Sequence, residues 1–154
     1  MTTVFRDKLK QRGFKRLIRS FGYAFDGLKY AFKYEQNILV HIFATIVVIF
    51  AGMAFKISYL EWISIFLIIG LVIATELINT SIEATIDLIT DQINPLAKVA
   101  KDTAAAAVLV FGLTAIIIGI IIFLPKIINM FGGIIWEAVL LVLLEDQMLE
   151  KALY

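Results

Sequence analysis

The residues of this chain with the clearest capacity for chemistry lie in the run Thr75-Glu76-Leu77-Ile78-Asn79-Thr80-Ser81-Ile82-Glu83-Ala84-Thr85-Ile86-Asp87. At ~100° per residue, Glu76, Asn79, Glu83 and Asp87 fall within an arc of roughly 80° on one helix face. These three carboxylates and one amide follow directly on an almost unbroken apolar run from Trp62 to Ala74. A carboxylate inside a bilayer costs about 2.5–3.5 kcal/mol on insertion scales. Two uses would justify that cost. One is a polar seam that holds membrane helices together by hydrogen bonds; the other is contact with a reactant.

Depth along the helix separates the groups. If Trp62 marks one membrane interface, Glu76 lies ~21 Å along the axis and Glu83 ~31 Å. Glu83 and Asp87 then sit at the far interface, with Glu76 recessed one to two turns inside it. Lys98, Lys101 and Asp102 belong to the same side. Carboxylates at this density suit Mg²⁺, which takes one or two protein carboxylates and fills its shell with phosphate oxygens and water. Lysines beside them suit phosphate, and a recessed carboxylate in low dielectric suits a general base acting on an alcohol. Together they describe phosphoryl transfer to a membrane-borne hydroxyl. The chain has no G-x-x-x-x-G-K-[ST], no kinase glycine loop and no G-x-G-x-x-G, so a standard nucleotide fold is not expected.

The elements that must position these groups are helical and apolar. With 61% hydrophobic residues among 154, an ordinary soluble domain is excluded and an all-α integral membrane protein is expected. The absence of cysteine removes disulfides and thiolate chemistry, and a single histidine argues against a His-based zinc site. Residues 1–35 hold nine of the fourteen Lys and Arg against three acids. By the positive-inside rule this predicts a cytoplasmic N-terminus and a cytoplasmic site. The first long apolar run starts only near Ile38, so no cleavable leader is expected.

Taken in order, Phe14, Leu17, Ile18, Phe21, Phe25, Leu28 and Phe32 share an arc of about 100°, with Lys15, Arg16, Arg19, Asp26, Lys29 and Lys33 off it. This predicts an N-terminal amphipathic surface helix over residues 14–34, lying flat on the membrane. Continued helically, Glu35 would fall on the apolar side, either as a functional group or as a solvated helix end. Three spans follow, at about 38–55, 62–87 and 103–124, joined by a short outer hairpin at Lys56–Glu61 and a loop at Thr90–Pro95. Pro95 fits the first turn of a helix. Pro125-Lys126 is expected to end the third span, making residues 1–125 one membrane domain. The remainder, 126–154, is a hydrophobic and acidic extension open to three readings: a marginal fourth span, an interfacial helix, or a partner-binding segment.

Glu76-x-x-Asn79-Thr80-x-x-Glu83-x-x-x-Asp87, followed by Ala97-Lys98-Val99-Ala100-Lys101-Asp102 and the alanines to Val108, resembles the small prokaryotic diacylglycerol kinase family. Gly13-Phe14-Lys15-Arg16 and Gly22-Tyr23-Ala24-Phe25-Asp26-Gly27-Leu28 match its surface helix, and the likeness runs from about Gly13 to Leu124. The resemblance implies ATP- and Mg²⁺-dependent phosphorylation of a lipid alcohol by a homotrimer in the bacterial cell membrane, with no nucleic-acid partner. It casts Glu76 as general base and Glu35 and Glu83 as metal-holding carboxylates. Asn79 matches an active-site amide, Lys101 and Asp102 nucleotide contacts, and Arg16 and Tyr23 surface-helix positions near the nucleotide. Asn94 stands where members often carry His, and Leu39 where Arg often follows the surface-helix Glu. Asn37, His41, Thr80 and Lys98 look more like the Gram-positive branch, whose members phosphorylate undecaprenol. Diacylglycerol remains the alternative acceptor, and a non-enzymatic membrane assembly protein the alternative class.

Overall fold

The structure is a computed structural model that describes residues 14–90, 92 and 94–152. Its described elements are four helices: α1 (Phe14–Tyr34), α2 (Gln36–Ala54), α3 (Tyr59–Ile89) and α4 (Pro95–Ala152). Three of them, over Gln36–Ala54, Tyr59–Ile89 and Pro95–Glu145, are long and apolar enough to cross a membrane. Most of their large apolar side chains are exposed, including Phe43, Phe50, Phe66, Leu67, Ile116 and Ile121. Bare apolar helices with all backbone groups bonded internally are what a bilayer accepts as solvent.

The chain divides into two compact units, one formed by the described residues up to Ala44 with Ile73–Val108, the other by Thr45–Val72 with the chain from Leu109 onward. In the first, α1 ends where the Glu35 N–H donates to the Ala31 carbonyl, and α2 restarts at Gln36. Buried positions here include Ala31, Ile38 and Ala104, together with three polar residues on α3.

The second unit has an apolar core of Ile57, Ile65 and Ile122, with Trp62, Phe55 and Phe123 packed against it. A Cβ on Gly52 would come within 2.7 Å of the Trp62 indole, so only glycine lets α2 and α3 approach this closely. The turn between them is closed by two devices. The Ile57 N–H donates to the Gly52 carbonyl and the Lys56 N–H to the Met53 carbonyl, with Lys56 at φ 49°. That is a Schellman motif whose left-handed position carries a non-glycine residue. At the start of α3, Ser58 and Glu61 form a capping box: the Ser58 N–H donates to Glu61 Oε2 at 2.6 Å, and the Glu61 N–H to Ser58 Oγ at 3.4 Å.

Glu61 also pairs with Lys126 of α4 at 3.1 Å. The Ser58 N–H first, then the Ser58 hydroxyl and Lys126, hold the Glu61 carboxyl below its ordinary value of 4.5. Its folded value is the lower one, so its contribution is complete above 4.5 and disappears as the pH falls through that lower value.

The helix expected to stop at Pro125 does not stop there. Pro125 lies inside α4, which runs for 58 residues. Proline removes one hydrogen bond and crowds the carbonyl four residues back, at about 3 kcal/mol. The apolar residues on both sides keep the helical pattern, and one missing bond does not end it. At the other boundaries, α2 begins two residues before Ile38, α3 starts at Tyr59, three residues before the expected span, and α4 opens on Pro95, eight residues before the expected span at 103.

Replacing Lys56 by glycine removes the left-handed strain, which is ~1–2 kcal/mol for an L-residue. The Lys56→Gly protein is expected to unfold at higher temperature in detergent, followed by circular dichroism. An unchanged or lower midpoint would contradict this reading of the turn.

Candidate active site

The buried face of α3 changes character along its length. Ile65, Ile68 and Val72 are buried, and the next positions on the same stripe are Glu76, Asn79 and Thr80, at 1%, 6% and 7% exposure. Spacings of three and four keep all six on one side of the helix. The Thr80 hydroxyl donates to the Glu76 carbonyl at 3.1 Å, one turn back. Asn79 Nδ2 donates to Glu83 Oε1 at 2.9 Å. These local bonds satisfy the donors and leave acceptors over. Among the described residues, neither carboxyl oxygen of Glu76 and not the Asn79 Oδ1 has a hydrogen-bond donor. Three orphaned acceptors within one turn form a place where a hydrogen-bond donor is missing.

Beside this turn lies a groove of about 490 Å³, lined by Ala24, Gly27 and Ala31 of α1 and by Leu77, Thr80 and Ala84 of α3. Small side chains at i, i+3 and i+7 on α1 hollow it out. That spacing was present in the sequence as a signal, masked by the louder phenylalanine pattern of the same helix. The groove walls are almost wholly apolar and suit a hydrocarbon chain.

The cationic side of the site is held by ion pairs. Lys101 of α4 bonds Asp87 of α3, and Lys98 bonds Asp102 one turn on. Asp87, on the acidic face by spacing, thus acts as the resting partner of Lys101. Arg16 and Tyr23 are exposed on α1, Tyr23 at 72%. Glu35 is half-buried at the α1–α2 junction. The structure therefore brings together Asn79 with Glu83 and Lys101 with Asp87. Asn94 caps α4: its Oδ1 accepts the Leu96 N–H at 2.8 Å and the Ala97 N–H at 3.3 Å. An Asn there serves the helix end, a role the sequence comparison with histidine-bearing members did not bring out.

For a metal, no three or more His, Asp or Glu among the described residues converge into an all-protein cage. Two carboxylates, as the resemblance assigns with Glu35 and Glu83, would suit Mg²⁺ completed by phosphate and water rather than zinc.

A helical membrane site with a recessed acid, an apolar groove and lysines held by carboxylates defines a class of enzyme that works on lipids. Comparison with known proteins agrees. The prokaryotic diacylglycerol kinase family matches residues 22–123. Undecaprenol kinase of Bacillus subtilis is 46% identical over 112 residues, covering 73% of this chain and 91% of that protein. Diacylglycerol kinases of Synechocystis and Helicobacter pylori are 36% and 40% identical, covering 74% and 66% of this chain and 66% and 79% of theirs. The chain belongs to the prokaryotic diacylglycerol kinase family, on its Gram-positive branch, and is a lipid kinase.

If the acid is kept for chemistry rather than for holding helices, its removal should relieve the fold. The Glu76→Leu protein is expected to be inactive and to resist thermal unfolding in detergent more strongly, by about 1–3 kcal/mol for the orphaned group. A loss of stability would instead assign Glu76 to a structural seam.

Proposed function

We propose that this lipid kinase transfers the terminal phosphoryl group of ATP to undecaprenol, giving undecaprenyl phosphate. The observation that carries the reading is the buried Glu76 carboxyl, without a donor among the described residues, on the turn of α3 whose Leu77 and Thr80 line an apolar groove. The lipid alcohol places its chain along the groove and its hydroxyl donates to a Glu76 oxygen, with the Asn79 Oδ1 as a further acceptor in the same turn. Glu76 takes the proton as the alcohol oxygen attacks the γ-phosphorus and the bond to the β-phosphate oxygen breaks. Water is excluded by the packing around Glu76, which keeps the base from a competing hydroxyl.

The nucleotide arrives from the aqueous side. Lys101 exchanges Asp87 for phosphate oxygens: an exposed ion pair is worth about 0–1 kcal/mol, so a polyphosphate with several charges outcompetes it. Arg16 and Tyr23 on α1 and Asp102 on α4 complete the nucleotide contacts. Glu35 and Glu83 are the residues that would hold Mg²⁺, which when bound offsets phosphate charge. The helix α1 lies flat on the cytoplasmic leaflet, the N-terminus and the site face the cytoplasm, and α2, α3 and α4 cross the bacterial cell membrane. The assembly is a homotrimer, as the resemblance implies. Diacylglycerol is the second acceptor to weigh, because the Synechocystis and Helicobacter pylori relatives are diacylglycerol kinases.

The purified chain with labelled ATP and Mg²⁺ is expected to phosphorylate undecaprenol faster than dioleoylglycerol at equal mole fraction, and chelation to stop both. Faster turnover of dioleoylglycerol would overturn the choice of acceptor. Glu76→Gln is expected to lower kcat by about 10²- to 10⁴-fold, the scale of general-base catalysis, with KM for ATP unchanged. Near-native turnover in that protein would remove Glu76 as the base.

A further inference from the structure

The groove between α1 and α3 is built from residues that phosphoryl transfer itself does not use. On α1, Ala24, Gly27 and Ala31 share an arc of roughly 60°, centred about 100° around the helix from the phenylalanine stripe. With Leu77, Thr80 and Ala84 of α3 they line a space of about 490 Å³. Leu28 lines it too, and Leu28 belongs to the phenylalanine stripe. The groove is therefore continuous with the side of α1 that carries Phe21, Phe25 and Phe32, all exposed. An amphipathic helix turns such a side to lipid, so a hydrocarbon chain can enter the groove sideways from the bilayer.

Gly27 is the smallest residue on this wall, and the fold gives no other reason for a glycine there. It sits in the interior of α1, where glycine costs about 1 kcal/mol relative to alanine. A Cβ built on Gly27 meets nothing within 4 Å, and its φ lies outside the left-handed region. Gly52 is the contrast: a Cβ there would come within 2.7 Å of the Trp62 indole, and packing alone explains it. On the α3 side, Thr80 commits its hydroxyl to the Glu76 carbonyl, so it brings no free donor to the groove. The space at Gly27 is thus kept open at a cost to the helix, and an unfilled apolar space forfeits dispersion contacts along its lining. In a lipid kinase the occupant that restores those contacts is the hydrocarbon chain of the acceptor.

We propose that Gly27 is a specificity-determining residue: with Ala24 and Ala31 it makes the groove wide enough for a methyl-branched isoprenoid chain, a step that rests on the reading of the groove as the seat of the lipid alcohol. A linear acyl chain needs only the cross-section of its methylenes. An isoprenoid adds a methyl branch in each unit, and each branch must find room against the wall. A larger side chain at position 27 takes that room and leaves the linear chain its path. One methylene more or less in an apolar pocket changes kcat/KM by about 10- to 200-fold, so width alone separates the two chain classes.

The kcat/KM values for undecaprenol and dioleoylglycerol are measured in the natural full-length protein and in Gly27→Ala, Gly27→Leu and Gly22→Leu. Gly22 is as open as Gly27 but lies ~140° away around α1, off the groove. The ratio of undecaprenol to dioleoylglycerol is expected to fall about tenfold or more in Gly27→Leu, to fall less in Gly27→Ala, and to keep its natural value in Gly22→Leu. Gly27→Ala is also expected to unfold at a higher temperature in detergent, because alanine favours the helix and its Cβ meets open space. An unchanged ratio in Gly27→Leu, whether both activities fall together or neither falls, would overturn the inference, as would an equal shift in Gly22→Leu. A lower midpoint for Gly27→Ala would overturn it too, by making the glycine a packing residue. Where Gly27→Leu does not fold, the Gly27→Ala ratio decides. A natural protein that favours dioleoylglycerol would remove undecaprenol as the preferred acceptor, while the shift of the ratio between proteins still reads the width of the groove, so the two failures are told apart.

Discussion

A carboxyl group buried on an apolar helix, with no hydrogen-bond donor among the described residues, is the constraint on which the rest of this protein depends. Placing Glu76 there costs about 2.5–3.5 kcal/mol for a charged residue in a bilayer, and leaving its acceptors orphaned adds about 1–3 kcal/mol. Against a typical net stability of about 5–15 kcal/mol this is a large penalty. The fold bears it through the stripe that leads up to it: Ile65, Ile68 and Val72 are buried on the same side of α3.

The neighbouring groups follow from that choice. Thr80 spends its hydroxyl on the helix backbone, and Asn79 spends its donor on Glu83, so neither satisfies the acid. On the aqueous side the pairs are exposed and exchangeable. Asp87 pairs with Lys101, and an exposed pair of this kind costs little to separate. A buried, dry carboxyl thus sits in sequence next to exposed, wet ion pairs, and the proposed function assigns the first to the lipid alcohol and the second to the nucleotide.

Much of this is legible in the sequence, because it rests on period and on charge in apolar surroundings. The spacing of Glu76, Asn79 and Glu83 predicts a shared face, and the structure joins Asn79 to Glu83. The apolar runs predict α2 and α3 closely. What period does not show is pairing over distance and the competition at helix ends. Lys101 is fourteen residues from Asp87, and no local rule links them. Lys56 takes a left-handed conformation that sequence favours for glycine, because the packing of Trp62 on Gly52 fixes the turn around it. Pro125 reads as a stop, but a single proline in a long apolar helix removes one hydrogen bond and the flanking residues outweigh it. The groove between α1 and α3 was hidden for a different reason: it is made by what is missing from small side chains.

The claim at the centre is that Glu76 meets the lipid alcohol directly. The most direct measurement is labelling of the full-length protein with a hydrophobic carbodiimide, which attacks carboxyl groups from the membrane phase, with the modified residue mapped by mass spectrometry. Undecaprenol is expected to protect Glu76 from modification while Mg²⁺ and a non-hydrolysable ATP analogue do not. Protection by the nucleotide alone, or labelling undiminished by saturating lipid, would contradict the account.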